Sequence, residues 1–172
     1  EFFDGRITFI DGEESDAVTS LNGRLVWPAL NRDAMISTTG IWRGENVSLE
    51  VTTSSPLLLA AGAKAKVNAK VSSTLLQASF DGTATLAADF YLDGQTSLSS
   101  PSLRRTLEWS RIPIAPGAAI GALSISSRMQ GDASRLRLDS VTLTLGENTG
   151  RGVIDLTIAN GLPGISGTLA FD

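Results

Sequence analysis

From residue 134 to residue 172 apolar side chains fall on every second position, and small or turn-forming residues mark the breaks. Leu136 and Leu138 alternate with Arg135, Arg137 and Asp139; Val141, Leu143 and Leu145 alternate with Thr142 and Thr144. A period of two belongs to a strand with one apolar and one polar face. The parity changes between Leu138 and Val141, which predicts a one-residue bulge at Asp139 or Ser140 that re-aims the strand. Past a turn over residues 147–150, Gly152, Ile154, Leu156 and Ile158 resume the alternation, and past residues 160–164 so do Ile165, Gly167, Leu169 and Phe171. The stretch reads as a three-stranded antiparallel meander.

The same pattern recurs upstream. Asp4-Gly5 opens a strand carrying Ile7 and Phe9, and a polar loop spans residues 12–16. Leu21, Gly23, Leu25 and Trp27 alternate next, then Ile36, Thr38, Gly40 and Trp42, then Val47, Leu49 and Val51, with turns around Pro28 and around residues 43–46. Residues 57–62 read as a short helical turn or a buried crossover. Ala65, Val67, Ala69 and Val71 alternate with Lys66, Asn68 and Lys70, which puts the chain's three lysines, Lys64 included, on one polar face. Long strands with Leu76, Ala78, Phe80, Gly82, Ala84 and Leu86, and with Phe90, Leu92, Gly94, Thr96 and Leu98, flank a turn at residues 87–89; unbroken parity favours this over hairpin turns at Asp81-Gly82 and Asp93-Gly94. Ser100-Pro101 reads as a helix start, with Pro113 and Pro116 as its stop, so one helix near 101–110 is expected to close an end of the sheet. Leu123, Ile125, Ser127 and Met129 form the strand before the final meander.

The expected fold is therefore mainly β: curved antiparallel meander sheet with one apolar concave face and one short α-helix, in a single β-rich domain over 1–172. The chain begins at Glu1 without a methionine and stops on Asp172 just after a strand, as a piece of a longer polypeptide would.

Composition removes several functions. The net charge of −4 and pI near 4.8 leave no electrostatic footprint for nucleic acid. No cysteine is present to form a disulfide, and no histidine to serve in a triad, as an imidazole base or as a metal ligand. None of the three lysines follows a serine at S-x-x-K spacing. The acidic run Asp11, Glu13, Glu14, Asp16 fails as an EF-hand loop because Asp16 stands where glycine is required and Asn22 where glutamate is required; it reads as a solvated turn. The sequon at Asn46 reads as chance, and the G-x-x-x-G from Gly117 to Gly121 as a loop. The longest uncharged runs, 112–127 and 156–171, contain proline and glycine and fall short of the roughly 20 apolar residues of a membrane span. Trp27, Trp42 and Trp109 read as core aromatics. The chain is not expected to be an enzyme, and no cofactor or metal is expected.

About nine or ten one-sided strands and one short helix leave an apolar face too large for a monomer to expose. Such a sheet closes into a sandwich or barrel, packs on another domain, or stays curved and open around an apolar ligand. The alanine- and glycine-rich inner face favours the open form, since small side chains leave room inside a curled sheet. The candidate ligand-facing residues are Ile7, Phe9, Leu25, Trp42, Phe80, Leu86, Phe90, Leu92, Leu136, Leu138, Leu143, Ile154, Leu156 and Leu169. The alternative is a structural β-sandwich scaffold with a closed core and a protein partner.

The succession G-R-I-T-F-I-D-G, L-V-W-P-A-L, I-S-T-T-G-I-W-R-G-E-N-V-S-L-E-V, S-S-P-L-L-L, F-D-G, S-P-S-L-R-R-T-L-E-W and G-R-G-V-I-D-L-T-I-A-N-G-L-P-G-I-S-G-T-L-A-F-D resembles the later periplasmic region of AsmA-like envelope proteins of Gram-negative bacteria. The resemblance covers nearly the whole chain and carries no catalytic motif. It implies a periplasmic location, a tether to the inner membrane through an anchor outside this segment, a groove for phospholipid or another acyl-chain lipid, contact with the remainder of the same polypeptide, and a part in phospholipid transfer to the outer membrane and its assembly.

Overall fold

The computed structural model describes residues 1–11, 14–86, 90–112, 121–159 and 162–171. Eleven strands run in chain order: β1 (Phe2–Asp11), β2 (Glu14–Val26), β3 (Ala34–Trp42), β4 (Glu45–Thr53), β5 (Ala65–Ser72), β6 (Gln77–Thr85), β7 (Tyr91–Ser100), β8 (Leu123–Gly131), β9 (Arg135–Leu145), β10 (Asn148–Ala159) and β11 (Leu162–Phe171). Helix α1 (Pro56–Ala60) joins β4 to β5, and α2 (Leu103–Trp109) lies between β7 and β8. Every strand pairs antiparallel with its neighbours in sequence, giving one sheet in the order β1 to β11 with β1 and β11 as free edges. A closed sandwich needs a second sheet, and the described strands supply only this one.

Directly opposed residues of an antiparallel ladder project from the same side. The register therefore sorts the whole sheet into two faces. One row crosses all eleven strands: Phe2, Gly23, Thr38, Leu49, Val71, Ala78, Leu98, Ile125, Leu143, Gly150, Phe171. It starts at the first residue of β1 and ends at the last of β11, so the strands slip steadily past one another, as they do in a coiled sheet. The opposite face carries Lys66, Lys70, Asp81, Asp93, Arg128, Arg135, Arg137 and Asp155, linked by Arg128–Asp93 at 3.0 Å, Arg135–Asp155 at 3.0 Å and Asn68–Asp81 at 2.9 Å.

Parity is kept only because bulges reset it. Ser140 sits at φ 52 where the β8 and β10 registers shift, which is the bulge expected at Asp139 or Ser140. Two more, at Asp4 (φ 50) and Ser20 (φ 48), lie in β1 and β2. The Ser20 bulge lets Val18 and Leu21 share a face although they stand three apart. It also extends β2 back to Glu14, so Asp16 pairs with Phe9 inside the ladder, not in a loop over residues 12–16.

The core is thin. A compact monomer of 18.0 kDa exposes about 8,000 Å², whereas this chain exposes 11033 Å². The buried apolar strand residues, Ala34, Ala65, Ala84, Leu123 and Val141, all stand on the apolar face. Val141 is 1% exposed there, while edge-strand residues of the same face are open, Ile165 at 78%. The sheet curls toward this side. At Gly82 and Gly94, opposed in β6 and β7, the strands come so close on it that neither has room for a methyl group.

Each strand reverses direction, so connections alternate between two rims. The α2 rim holds the β1–β2, β3–β4, β5–β6, β7–β8 and β9–β10 connections; the α1 rim holds the others. The β9–β10 turn is tighter than expected, Leu145 pairing with Asn148 around Gly146 (φ 60) and Glu147.

Candidate functional site

The site is the apolar face and what closes its rim. Ile7 opposes Val18, which opposes Trp42; Leu25 opposes Ile36 in the row that reaches Phe80; Leu156 opposes Leu136 and Ile165; Ile154 opposes Leu138 and Gly167. Phe9, Leu92, Leu143 and Leu169 fall on the same side. Leu86 and Phe90 lie just outside β6 and β7 with the matching parity, and the turn expected between them lies outside the described residues. All the candidate positions inside strands thus project from one face. Leu136, Leu156, Ile158 and Ile165 line a recess of about 250 Å³ near the last edge. The face also holds two buried hydroxyls without a protein hydrogen-bond partner, Thr53 Oγ1 and Ser127 Oγ.

One rim is closed by α2. The helix begins at Leu103 rather than two residues earlier: Ser102 is the cap, its hydroxyl accepting from Arg105 N at 3.4 Å, and Ser100 remains the last residue of β7. Pro113 and Pro116, read as its stop, lie outside the described residues. Arg111 takes φ 60 and Ile112 N donates to Leu107 O at 2.9 Å, a left-handed termination that satisfies the last carbonyls. Thr106, buried, donates to Leu75 O in the β5–β6 loop at 2.8 Å and meets Ser100 Oγ at 2.8 Å. Trp109 reaches the β3–β4 turn: its Nε1 donates to Trp42 O at 3.1 Å, the two rings meet edge to face at 4.8 Å, and Arg43 Nη1 donates to Trp109 O at 3.1 Å. Of the expected core tryptophans, Trp42 and Trp109 pack together, whereas Trp27 lies beyond the end of β2 and is exposed.

Sequence reading passed over the electrostatic centre of this closure. Asp16 accepts from Trp42 Nε1 at 3.0 Å and from Arg43 Nε at 2.5 Å. Burial raises its pKa, but the hydrogen bonds from Trp42, Arg43 and Ala17 N, with the Arg43 charge, outweigh that and hold the carboxyl below its ordinary value. No pattern in the sequence marked it, because Val18 is followed by Thr19 and Ser20 and the change of parity before Leu21 leaves no apolar run out of phase. Elsewhere, Asp132 is lowered by the Ser134 hydroxyl and by the Ser134 and Arg135 amides, within the β8–β9 turn, and Arg137 is raised by Asp139 and then Asp155.

Chemically the arrangement offers a long, largely apolar face whose charged groups lie at the rim and whose interior carries only hydroxyls such as those of Thr53 and Ser127. Among the described residues no group of three acidic side chains is placed to hold a metal ion, and no helix is long and apolar enough to cross a membrane. The fold and site define an open, single-layer amphipathic β-meander closed along one rim. No protein family, curated protein or solved structure matches the chain.

Proposed function

We propose that this chain is a non-catalytic segment of an AsmA-like periplasmic protein that holds phospholipid acyl chains on its apolar face, in a protein tethered to the inner membrane and serving lipid transfer to the outer membrane. The observation that supports this most is the single sheet: eleven strands present one largely apolar side, and no second layer covers it among the described residues. A water-exposed face of this kind is costly, and an acyl chain laid along it gains about 0.8 kcal/mol for each methylene buried. Alanines and glycines in the middle strands keep the inner surface shallow enough for a chain to lie flat, and the Leu136–Leu156–Ile165 recess offers one seat for it.

Native mass spectrometry of the purified chain, with lipid extraction from the same sample, tests the reading. Retained phospholipid at defined stoichiometry is expected, and Leu156→Asp is expected to lose it while keeping the β signature in circular dichroism. A clean apo mass with no uptake of added fluorescent lipid would overturn the proposal.

A further inference from the structure

The connections on the two rims differ in the apolar side chains they expose, although at the α2 rim Ile10, near the end of β1, is itself 77% exposed. On the α2 rim, Leu75 is buried and Trp42 packs against Trp109, so that Ile112 is the exposed large apolar residue of the described connections. On the α1 rim the connections of three successive strand pairs push such residues into solvent: Trp27 and Leu30 between β2 and β3, Leu57 and Leu58 in α1, Leu86 after β6. Leu30 is 67% and Leu58 52% exposed. Turn formers are the usual occupants of such tips; leucine there needs another reason. Nor is the β4–β5 tip loose. Pro56 starts α1, Gly62 at φ 78 ends it, and Ala63 N closes on Leu58 O at 2.8 Å, although the helix buries no residue.

We infer that the α1 rim docks on the surface of a phospholipid bilayer, with Trp27, Leu30, Leu57, Leu58 and Leu86 entering the boundary between headgroups and acyl chains. The tips are spaced two strands apart, about 10 Å. A folded partner protein is bound through a continuous patch of about 800 Å², which separated tips do not form, whereas a fluid bilayer admits each tip on its own. Tryptophan and leucine are the side chains that partition there, and the charges of these three connections, Arg32 and Lys64 against Asp33 and Asp89, sum to zero, so the apolar side chains carry the contact. This inference stands on the rim alone and not on lipid held by the apolar face.

The chain has no cysteine, so single labels are unambiguous. Leu58→Cys on the α1 rim and Glu147→Cys on the α2 rim each carry an environment-sensitive fluorophore and are mixed with vesicles of phosphatidylethanolamine and phosphatidylglycerol, with and without brominated acyl chains. The label at 58 is expected to shift to the blue and be quenched, the label at 147 to do neither. Leu30→Ser combined with Leu57→Ser is expected to lower vesicle co-flotation about tenfold while leaving uptake of monomeric fluorescent lipid unchanged, which separates this rim from the function proposed above. Absence of flotation, equal quenching at both rims, flotation indifferent to the double substitution, or a response of the label at 58 to protein concentration without vesicles would each overturn the inference, the last in favour of self-association.

Discussion

Gly82 faces Gly94 across β6 and β7, and a methyl group built on either would come within 2.6 Å of the other's Cα. The nearest groups are backbone, which cannot swing aside as the tip of a side chain can. Gly82→Ala and Gly94→Ala are each expected to cost about 2 kcal/mol and to lower Tm by roughly 4–8 °C in thermal unfolding. An unchanged Tm would mean that the strands are not pressed together on the apolar side.

Thr106 fixes α2 through two hydroxyl contacts in a buried place. Thr106→Val keeps the shape, strands the Leu75 carbonyl and leaves Ser100 Oγ with the Ser102 amide as its remaining partner, for an expected loss of about 2 kcal/mol. Urea unfolding checks it, and a variant as stable as the parent would show that the helix is held by its tryptophan alone.

Asp16 couples rim closure to acidity. Its folded pKa lies below the unfolded value of about 4, so its contribution is complete above that value and is lost as pH falls through the lowered folded pKa. Near-ultraviolet circular dichroism, which reads the Trp42–Trp109 pair, is expected to fade below about pH 4 in the parent. In Asp16→Asn the signal is expected to be weaker at neutral pH and flat through the same range; an equal acid transition in both proteins would assign it to other carboxylates.

Ser127 stands on the apolar face, 4% exposed, with its hydroxyl unpartnered. Ser127→Ala is expected to stabilise the lipid-free protein by about 1 kcal/mol. Equilibrium denaturation decides the sign. A loss of stability would show that the hydroxyl has a partner in solution.

The side on which each apolar residue lies was legible because a strand has only two sides and the sequence alternates faithfully between them. Even the Ser140 bulge showed itself, as two leucine runs out of phase. The Ser20 bulge did not: Val18 is followed by polar residues, so nothing marked the shift, and the first residues of β2 read as part of a loop. Helix α2 was anticipated and misplaced at its start, because Ser100-Pro101 and Ser102 are both competent caps and only the pairing of Ser100 with Leu123 in the ladder decides between them. The Leu57–Leu59 segment is a helix at the surface and not a buried crossover, a distinction that depends on what covers it. The count of eleven strands and the sheet's failure to close are set by curvature and register, which no local pattern encodes.

Because each strand pairs only with its sequence neighbours, the molecule is a linear ribbon whose order parameter runs along the chain. No strand has to wait for a distant one, so folding can zip outward from any hairpin and the entropy of closing long loops is avoided. The same connectivity makes length a free variable. Adding or deleting two adjacent strands restores both chain direction and rim, and leaves every other side chain in phase. A protein built this way can be lengthened by evolution one hairpin at a time without redesigning what already folds.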